Sequence, residues 1–214
     1  MKDPYRIIFE DQFLLIVDKP SGLLTVPTPK EEKNTLVDLV NHDLATRHPP
    51  EQATVCHRLD RETSGLIIFA KNAATEHDII DQFRQRKVEK TYYAIIRGTL
   101  KQPQGTLRTT AKTKYEKTPK LMVSQYEVIS IRKGYSVLKV KPITGRTNQI
   151  RIQFSKIGHP ILGERVYAFR RDFQLKVKHL MLHSFQITFT HPQSKKRITL
   201  STPPPALMRK MMEG

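Results

Sequence analysis

One short polar segment carries the strongest candidates for chemistry, His57, Arg58 and Asp60. Asp60 lies between Arg58 and Arg61, and two cations that close keep a carboxylate ionised and make it a poor proton donor. Leu66 to Ala70 follows, an apolar run that predicts a buried strand presenting the polar segment as a loop. Asp60 is therefore a candidate nucleophile or charge stabiliser. On these few residues alone, however, a surface loop with mutual ion pairs is the simpler interpretation.

The size and composition of the chain limit the other possibilities. A chain of 214 residues with 38% hydrophobic content can bury one sizeable core or two small ones. Its single cysteine, Cys56, excludes an internal disulfide and any Cys-x-x-Cys site. Neighbours on a strand point to opposite faces, so we interpret Cys56 as structural rather than as a partner of His57. The sequence contains no P-loop, no Gly-x-Gly-x-x-Gly and no metal-ligand spacing.

The charge of the chain indicates its partner. Lys and Arg outnumber Asp and Glu by 37 to 20, which gives a formal net charge of +17. Such a surplus usually means a polyanionic partner, and nucleic acid is the first candidate. Near the N-terminus the longest apolar run, Phe13 to Val17, is too short for a signal peptide or a membrane span. We therefore expect a cytoplasmic protein, and composition alone does not separate RNA from DNA.

Periodicity predicts the elements that must position these residues. We expect a helix capped by Asn72, with Ala73, Ile79, Ile80 and Phe83 inside. Further helices are predicted from Thr35 to the stop at Pro49-Pro50, around Ile150, Phe154 and Ile157, and over Ala206 to Met212. Strands are predicted at Tyr5 to Phe9, Phe13 to Val17, Thr91 to Arg97, Leu121 to Ile131, Tyr135 to Lys141, Phe185 to Phe189 and Arg197 to Ser201.

Two basic stretches between these elements read as loops. The first, Gly98 to Lys120, is rich in turn residues and lysines, so we expect a mobile loop. Its run Lys112 to Lys120 is a candidate contact for phosphates. The second basic stretch contains Arg165, Arg170, Arg171, Lys176 and Lys178.

The first motif is long enough to be recognised. His57-Arg58-Leu59-Asp60, followed by Thr63-Ser64-Gly65-Leu66 and the apolar strand, resembles the signature of the RluA-type pseudouridine synthases. The resemblance implies that Asp60 is the catalytic aspartate. It also implies that Arg58 lines the space vacated by a flipped nucleotide, and His57 is expected to bind substrate beside it.

Two more segments resemble motifs of the same family in the expected order. Lys90-Thr91-Tyr92-Tyr93-Ala94 is similar to the pattern that carries an active-site tyrosine, which implies this role for Tyr92, although without the family both tyrosines read as sheet residues. Thr144 to Arg151 with Gly158 to Gly163 is similar to the third motif. This implies that Arg151 is the cation paired with Asp60 and that Arg146 binds substrate. Asn148 replaces the histidine frequent in the family, and Asp18 to Leu24 resembles the first family motif but alone is an ordinary turn.

The resemblance implies a fold and a reaction. The expected fold is α+β, with a mixed, mostly antiparallel sheet flanked by helices and loops around a central active-site cleft, forming one catalytic domain over residues 1–214 without an S4 domain. The expected enzyme isomerises uridine to pseudouridine in ribosomal or transfer RNA, without cofactor or metal, as a monomer without obligate protein partner or membrane. The alternative is a catalytically inert RNA-binding or RNA-folding module on the same fold. A third possibility, a nucleoside hydrolase or glycosidase, would usually need a second carboxylate or a metal, and the motifs offer only Glu62 as a candidate carboxylate.

Overall fold

The computed structural model describes residues 4–28, 32–47, 52–112, 118–168 and 177–214. The chain divides into two compact units. The first comprises Met1–Glu89 and Phe185–Pro203, and the second comprises Lys90–Ser184 and Pro204–Gly214. Each unit combines helices with strands paired mostly antiparallel, which confirms the expected α+β class.

The first unit is built on strands that bury a branched aliphatic core. Strands β1 and β2 pair antiparallel, β2 pairs with β4, and β10 pairs with β9. All seven residues of β4 are buried, as the apolar run predicts. The elements of this unit are β1 (Arg6–Glu10), β2 (Leu14–Lys19), α1 (Leu36–Arg47), β3 (Thr54–Val55), β4 (Ser64–Ala70), α2 (Ala73–Arg84), β9 (Leu182–Thr190, from Phe185 onwards) and β10 (Arg197–Ser201).

Helix α2 begins as predicted and buries Ile79, with Phe83 packed against the core, but Ala73 does not lie on this face. Asn72 Oδ1 accepts a hydrogen bond of 2.9 Å from the amide of Thr75, which confirms the cap. Ala73 is exposed, contrary to expectation, because six residues correspond to about 600° of helix rotation and carry it away from the face of Ile79. Thr75 and Gln82 occupy that face instead. Gln82 is satisfied there by the backbone of Thr190, with Nε2 donating at 2.7 Å and Oε1 accepting at 2.8 Å.

The described part of the second unit consists of long antiparallel strands and two helices. Its strands pair antiparallel in the order β5, β8, β7, β6. The hairpin between β7 and β8 turns at Lys133-Gly134, where Gly134 has φ 86°, as its sequence predicts. The elements are β5 (Glu89–Arg97), β6 (Gln104–Ala111), β7 (Lys120–Arg132), β8 (Tyr135–Pro142), α3 (Gln149–Lys156) and α4 (Ala206–Glu213).

Strand β6 corrects the expectation of a mobile loop over Gly98 to Lys120. All eight of its residues pair with β7, from Gln104 opposite Glu127 to Ala111 opposite Lys120. The prediction failed because β6 alternates exposed polar residues with partly buried ones, and its threonines suit a strand with one solvated face. Its polar composition resembles that of a loop. Within the expected run of phosphate contacts, Lys114 and Lys117 lie outside the described residues.

Several other predictions fall partly outside the described residues. These are the Pro49-Pro50 helix stop and the basic residues Arg170, Arg171 and Lys176. Helix α4 is observed at Ala206–Glu213, as predicted. Among the residues that the structure describes, no helix is both long and apolar enough to cross a membrane.

Candidate active site

Asp60 lies on the loop that joins strands β3 and β4 of the first unit. Val55 in β3 pairs with Phe69 in β4, and Gly65 near the start of β4 pairs with Lys19 in β2, so each end of this loop adjoins a paired strand. Leu59 is buried, Asp60 is half-buried, and Arg58 and Arg61 are exposed. The loop is therefore anchored by its apolar residue, while its charged side chains lie nearer the surface. We call residues 56–63 the aspartate loop.

A buried threonine fixes the backbone directly before Asp60. The Thr25 hydroxyl donates to the Leu59 carbonyl at 2.9 Å and accepts from the Leu59 amide at 3.2 Å. Thr25 is only 2% exposed, so little water competes for these bonds. On the other side of Asp60, its own carbonyl accepts from the amide of Thr63 at 3.1 Å. The backbone is thus held on both sides of the candidate carboxylate.

The buried side chain of Lys19 also hydrogen-bonds the aspartate loop. Its side chain is fully buried, and its Nζ donates to the carbonyls of Pro20 at 2.9 Å, Leu23 at 2.7 Å and Arg61 at 3.1 Å. Three acceptors match the three N–H groups of an ammonium. Burial lowers the pKa of Lys19 to about 7, although the carboxylates of Asp60, Glu62 and Asp18 favour its charged form.

Two further hydrogen bonds join the turn after Lys19 to the aspartate loop. The Gly22 amide donates to the Arg61 carbonyl at 2.8 Å, and the Ser21 hydroxyl donates to the Glu62 carbonyl at 2.7 Å. Gly22 has φ 92°, a conformation that favours glycine. Residues 19–25, which we call the anchoring turn, are thus the support of the aspartate loop, a role that a single sequence does not reveal.

His57 also takes part in the structure of the loop. Its Nε2 accepts a hydrogen bond of 3.1 Å from the Ile68 amide, and its ring lies 4.8 Å from the ring of Phe83. An accepting Nε2 carries no proton, which favours the neutral imidazole. The expected role of His57 in substrate binding stays a prediction.

Burial raises the pKa of the neighbouring Cys56 to about 12, so this thiol stays protonated at neutral pH, in agreement with a structural residue.

Tyr92 lies on β5 of the second unit. It is 6% exposed and pairs with Val140 of β8. Tyr93 is half-buried, and as the next residue of a strand it faces the opposite side of the sheet, as predicted. The structure therefore gives the two tyrosines different environments, while the catalytic role of Tyr92 stays a prediction.

Arg151 is held by several groups at the first turn of α3. Its Nε donates to Glu164 Oε2 at 2.6 Å, its Nη2 to Glu164 Oε1 at 2.8 Å and its Nη1 to Asn148 Oδ1 at 2.9 Å. Its guanidinium carbon lies 5.4 Å from the centre of the Tyr167 ring, within the range of a cation–π contact. The arginine is 6% exposed. A buried cation with a bidentate carboxylate partner has a well-defined orientation.

The start of α3 is held in place by a buried glutamine, Gln149. Gln149 Nε2 donates to the Val123 carbonyl at 2.9 Å, and its Oε1 accepts from the Thr144 hydroxyl at 2.6 Å and the Arg146 amide at 3.1 Å. Arg146 itself is exposed.

Asn148 has φ 55°, and its Nδ2 donates to the Tyr167 hydroxyl at 2.8 Å. Asparagine tolerates this left-handed conformation, so the change from the frequent histidine is compatible with the observed turn.

The predicted site residues are divided between the two units. Asp60, Arg58 and His57 belong to the first unit, whereas Tyr92, Arg146 and Arg151 belong to the second. The expected pairing of Arg151 with Asp60 stays a prediction. Within the described ranges, no group of three or more His, Cys, Asp or Glu side chains is arranged to hold a metal ion.

Sequence reasoning missed Lys19 and Glu164. Lys19 ends strand β2, and Glu164 directly follows Gly163, and neither position belongs to a periodic pattern of charged residues. The available signal was their place in or directly beside segments that resembled family motifs, since Lys19 lies within Asp18 to Leu24 and Glu164 directly follows Gly158 to Gly163.

Comparison with known proteins identifies the fold and then the family. The structure of human RNA pseudouridylate synthase domain containing 4 aligns with a TM-score of 0.83 at 23% identity, covering 97% of this chain and 92% of the human one. At that identity the similarity shows the fold. The sequence from residue 13 to residue 156 matches the RNA pseudouridylate synthase family.

Curated relatives agree. The dual-specificity RNA pseudouridine synthase RluA of Yersinia pestis is 37% identical over 199 residues, covering 87% of this chain and 93% of the relative. An uncharacterized RNA pseudouridine synthase of Aquifex aeolicus is 35% identical over 208 residues, covering 88% of this chain and 66% of the relative. The chain belongs to the RNA pseudouridylate synthase family, as an RluA-type member. It is thus an isomerase that acts on RNA, and the inert-module alternative is not favoured.

Proposed function

We propose that this enzyme converts specific uridines of ribosomal or transfer RNA to pseudouridine, with Asp60 as its catalytic aspartate. The observation that carries the proposal is the fixed backbone around Asp60, which Thr25 binds directly before the residue and Lys19 directly after it. A reacting group held in one geometry is a general source of rate enhancement. The RNA class is inferred from the dual-specificity enzyme of Yersinia pestis, which the chain resembles over most of its length.

The reaction makes defined demands on the enzyme. The bond between ribose C1′ and uracil N1 breaks, the uracil turns, and a bond forms between C1′ and C5. The proton on C5 is then lost and N1 gains one, so the composition of the RNA does not change. Breaking a glycosidic bond builds positive character at C1′, which an ionised carboxylate stabilises or captures. Asp60 has the required charge next to two arginines.

Residues of the other two motifs would supply the supporting groups. Arg151, held by Glu164, would keep Asp60 ionised and oriented, and Tyr92 would stack on the extruded base and assist removal of the C5 proton. Arg58 would occupy the space that the flipped uridine leaves, with His57 and Arg146 as further substrate contacts. The exposure of Arg58 and Arg146 supports their contact with RNA.

The remaining features of the proposed function rest on the chain as a whole. The net charge of +17 supports binding of RNA by the catalytic chain itself. The family match extends from residue 13 to residue 156 and so includes parts of both units, which supports one catalytic domain. We place the enzyme in the cytoplasm as a monomer without cofactor or obligate protein partner.

The experiment is pseudouridine mapping in cells with and without the gene, by carbodiimide modification and primer extension on total RNA. The expected result is the loss of one or a few sites, restored by the intact gene but not by the Asp60→Asn variant. Restoration by Asp60→Asn would remove Asp60 from its role. Absence of any lost site, together with inactivity of the purified protein on ribosomal and transfer RNA, would contradict the proposed substrates.

A further inference from the structure

The Arg151 side chain is oriented mainly by Glu164. The carboxylate of Glu164 binds the Nε and Nη2 atoms of Arg151 at 2.6 Å and 2.8 Å, so the two planar groups are paired along one edge of the guanidinium. This pairing fixes the direction of the opposite part of the guanidinium, where Nη1 lies. Asn148 then binds Nη1 at 2.9 Å. Together these contacts engage three of the five N–H groups of the arginine.

Glu164 is itself fixed by the backbone that follows it. Its Oε1 accepts hydrogen bonds from the amides of Arg165 at 3.0 Å, Val166 at 2.8 Å and Tyr167 at 3.3 Å. Its side chain has no solvent exposure. Burial by itself raises the pKa of Glu164, but the hydrogen bonds and charge of Arg151, with the amides of Val166 and Tyr167, outweigh it and place the pKa below its usual value.

Gly163, directly before Glu164, lies where two backbone segments approach each other closely. Gly163 has φ 82°, and a Cβ atom there would lie 2.1 Å from the carbonyl oxygen of His179. Any other residue would therefore require the backbone to move. Because Glu164 follows directly, the close approach of the two backbone segments determines where its carboxylate is placed. The orientation of the arginine thus depends on a segment outside its own helix, at a close approach of two backbone segments.

We propose that Glu164 is a positioning residue of this pseudouridine synthase, acting through Arg151, with Asn148 as a weaker second support. This inference rests on the proposed catalytic role of Arg151. Glu164 does not contact the reacting atoms. It holds one edge of the Arg151 guanidinium and thereby fixes the orientation of the whole planar group. Removing its charge leaves Arg151 in place as a cation but allows it to rotate.

The test is the single-turnover rate of pseudouridine formation by the Glu164→Gln variant on a verified RNA substrate. The amide keeps the shape of the side chain but cannot accept two hydrogen bonds from the guanidinium. We expect the rate constant to fall about 100-fold, because misplacing a reacting group by roughly 1 Å has effects of that size. The Kd for RNA should stay within about twofold, since a positioning role affects the rate constant rather than binding.

A double-mutant cycle distinguishes action through Arg151 from an independent effect. In an Arg151→Ala background, Glu164→Gln should reduce the residual rate no further, because coupled residues have non-additive effects. A full additional reduction in that background would overturn the inference. If Arg151→Ala alone left the rate unchanged, the proposed role of Arg151 would fail. If Arg151→Ala abolished turnover while folded Glu164→Gln remained fully active, only the role of Glu164 would fail.

Two further variants keep the test decisive if Glu164→Gln does not fold. Glu164→Asp retains the charge but shortens the side chain, and Asn148→Gly retains the left-handed backbone while removing the contact with Nη1. Both should remain folded and show reduced rate constants, the effect of Asn148→Gly being smaller. Full activity of both folded variants would contradict the inference. Glu127→Gln, an exposed glutamate on β7, is the matched control and should behave as the wild type.

Discussion

The aspartate loop and the start of α3 hold their candidate catalytic residues in opposite ways. Around Asp60, side chains of the anchoring turn bind backbone carbonyls and an amide of the loop. Around Arg151, the side chain itself is held, by Glu164 and Asn148. The carboxylate is thus positioned through its backbone, whereas the cation is positioned through its functional group.

The difference has a physical reason. Asp60 has a short side chain, so fixing the backbone leaves it only two dihedral angles. Arginine has a long side chain with high rotamer entropy, and a fixed backbone alone would leave its guanidinium in many places. It therefore requires partners on the guanidinium itself. The two supports should fail differently when they are disrupted.

The largest effect is expected from Arg151→Ala. It leaves the buried carboxylate of Glu164 without its cation, and removing one partner of a buried ion pair typically destabilises a protein by about 3–5 kcal/mol. Turnover should also fall severely. Urea denaturation and single-turnover kinetics measure the two effects. Arg165→Ala, at an exposed arginine in the adjacent segment, is the control, and equal loss of stability in both variants would disprove the special role of the buried pair.

Lys19→Met disrupts the support of the aspartate loop. The apolar side chain fills the same space but leaves the carbonyls of Pro20, Leu23 and Arg61 without their buried donor. We expect a loss of about 2–3 kcal/mol of unfolding free energy, since leaving buried polar groups unsatisfied has a cost of this order. The rate constant should fall with it. Lys87→Met, at an exposed lysine, should change stability by less than about 0.5 kcal/mol, and a similar loss there would contradict the prediction.

Thr25→Val removes one hydroxyl from the same support. The substitution preserves shape but leaves the amide and the carbonyl of Leu59 unsatisfied, so we expect a loss of about 1–2 kcal/mol. Because the backbone before Asp60 loosens, the rate constant should fall more than RNA affinity does. Thr106→Val on the exposed face of β6 is the control. Unchanged stability and rate of Thr25→Val would show that this contact does not position the loop.

The pH dependence of stability tests the buried environment of Lys19 directly. The pKa of Lys19 is about 7 in the folded protein and near its ordinary value of 10.5 when unfolded, so between these values the unfolded state binds the additional proton. Stability should therefore rise with pH across this window, by roughly 1.4 kcal/mol per pH unit relative to Lys19→Met. Chemical denaturation of both proteins from pH 7 to pH 10 measures the difference. Parallel pH profiles would contradict the lowered pKa.

The elements that the sequence predicts correctly are those with regular local patterns. The buried strand β4, the Asn72 cap of α2, the helix α3 and the β7–β8 hairpin all have strong local patterns, and the structure confirms them. Strand β6 was missed because its own composition resembles that of a polar loop. It is a strand because it pairs with β7, and this pairing is not evident from the local pattern. Ala73 was misplaced because periodicity near a helix end gives little evidence about the buried face.

For the site, sequence motifs predicted the chemical residues but not their supports. The bond from Lys19 to Arg61 joins residues 42 positions apart, and that from Arg151 to Glu164 joins residues 13 apart. Neither pairing has a periodic signal in one sequence. A buried lysine in particular contradicts the usual exposure of its residue type. Functional residues are thus easier to find in sequence than the residues that hold them.

The most direct test of the role of Asp60 is tritium release from RNA that carries tritium at C5 of uridine. The C5 hydrogen leaves only if the new bond to C1′ forms, so release reports the reaction itself. Wild-type and Asp60→Asn proteins should be compared in single turnover with RNA at saturation and with equal melting temperatures. We predict release by the wild type and none above background by Asp60→Asn, with similar RNA affinity. Release by Asp60→Asn at a rate comparable to wild type would contradict the assignment of Asp60 as the catalytic aspartate.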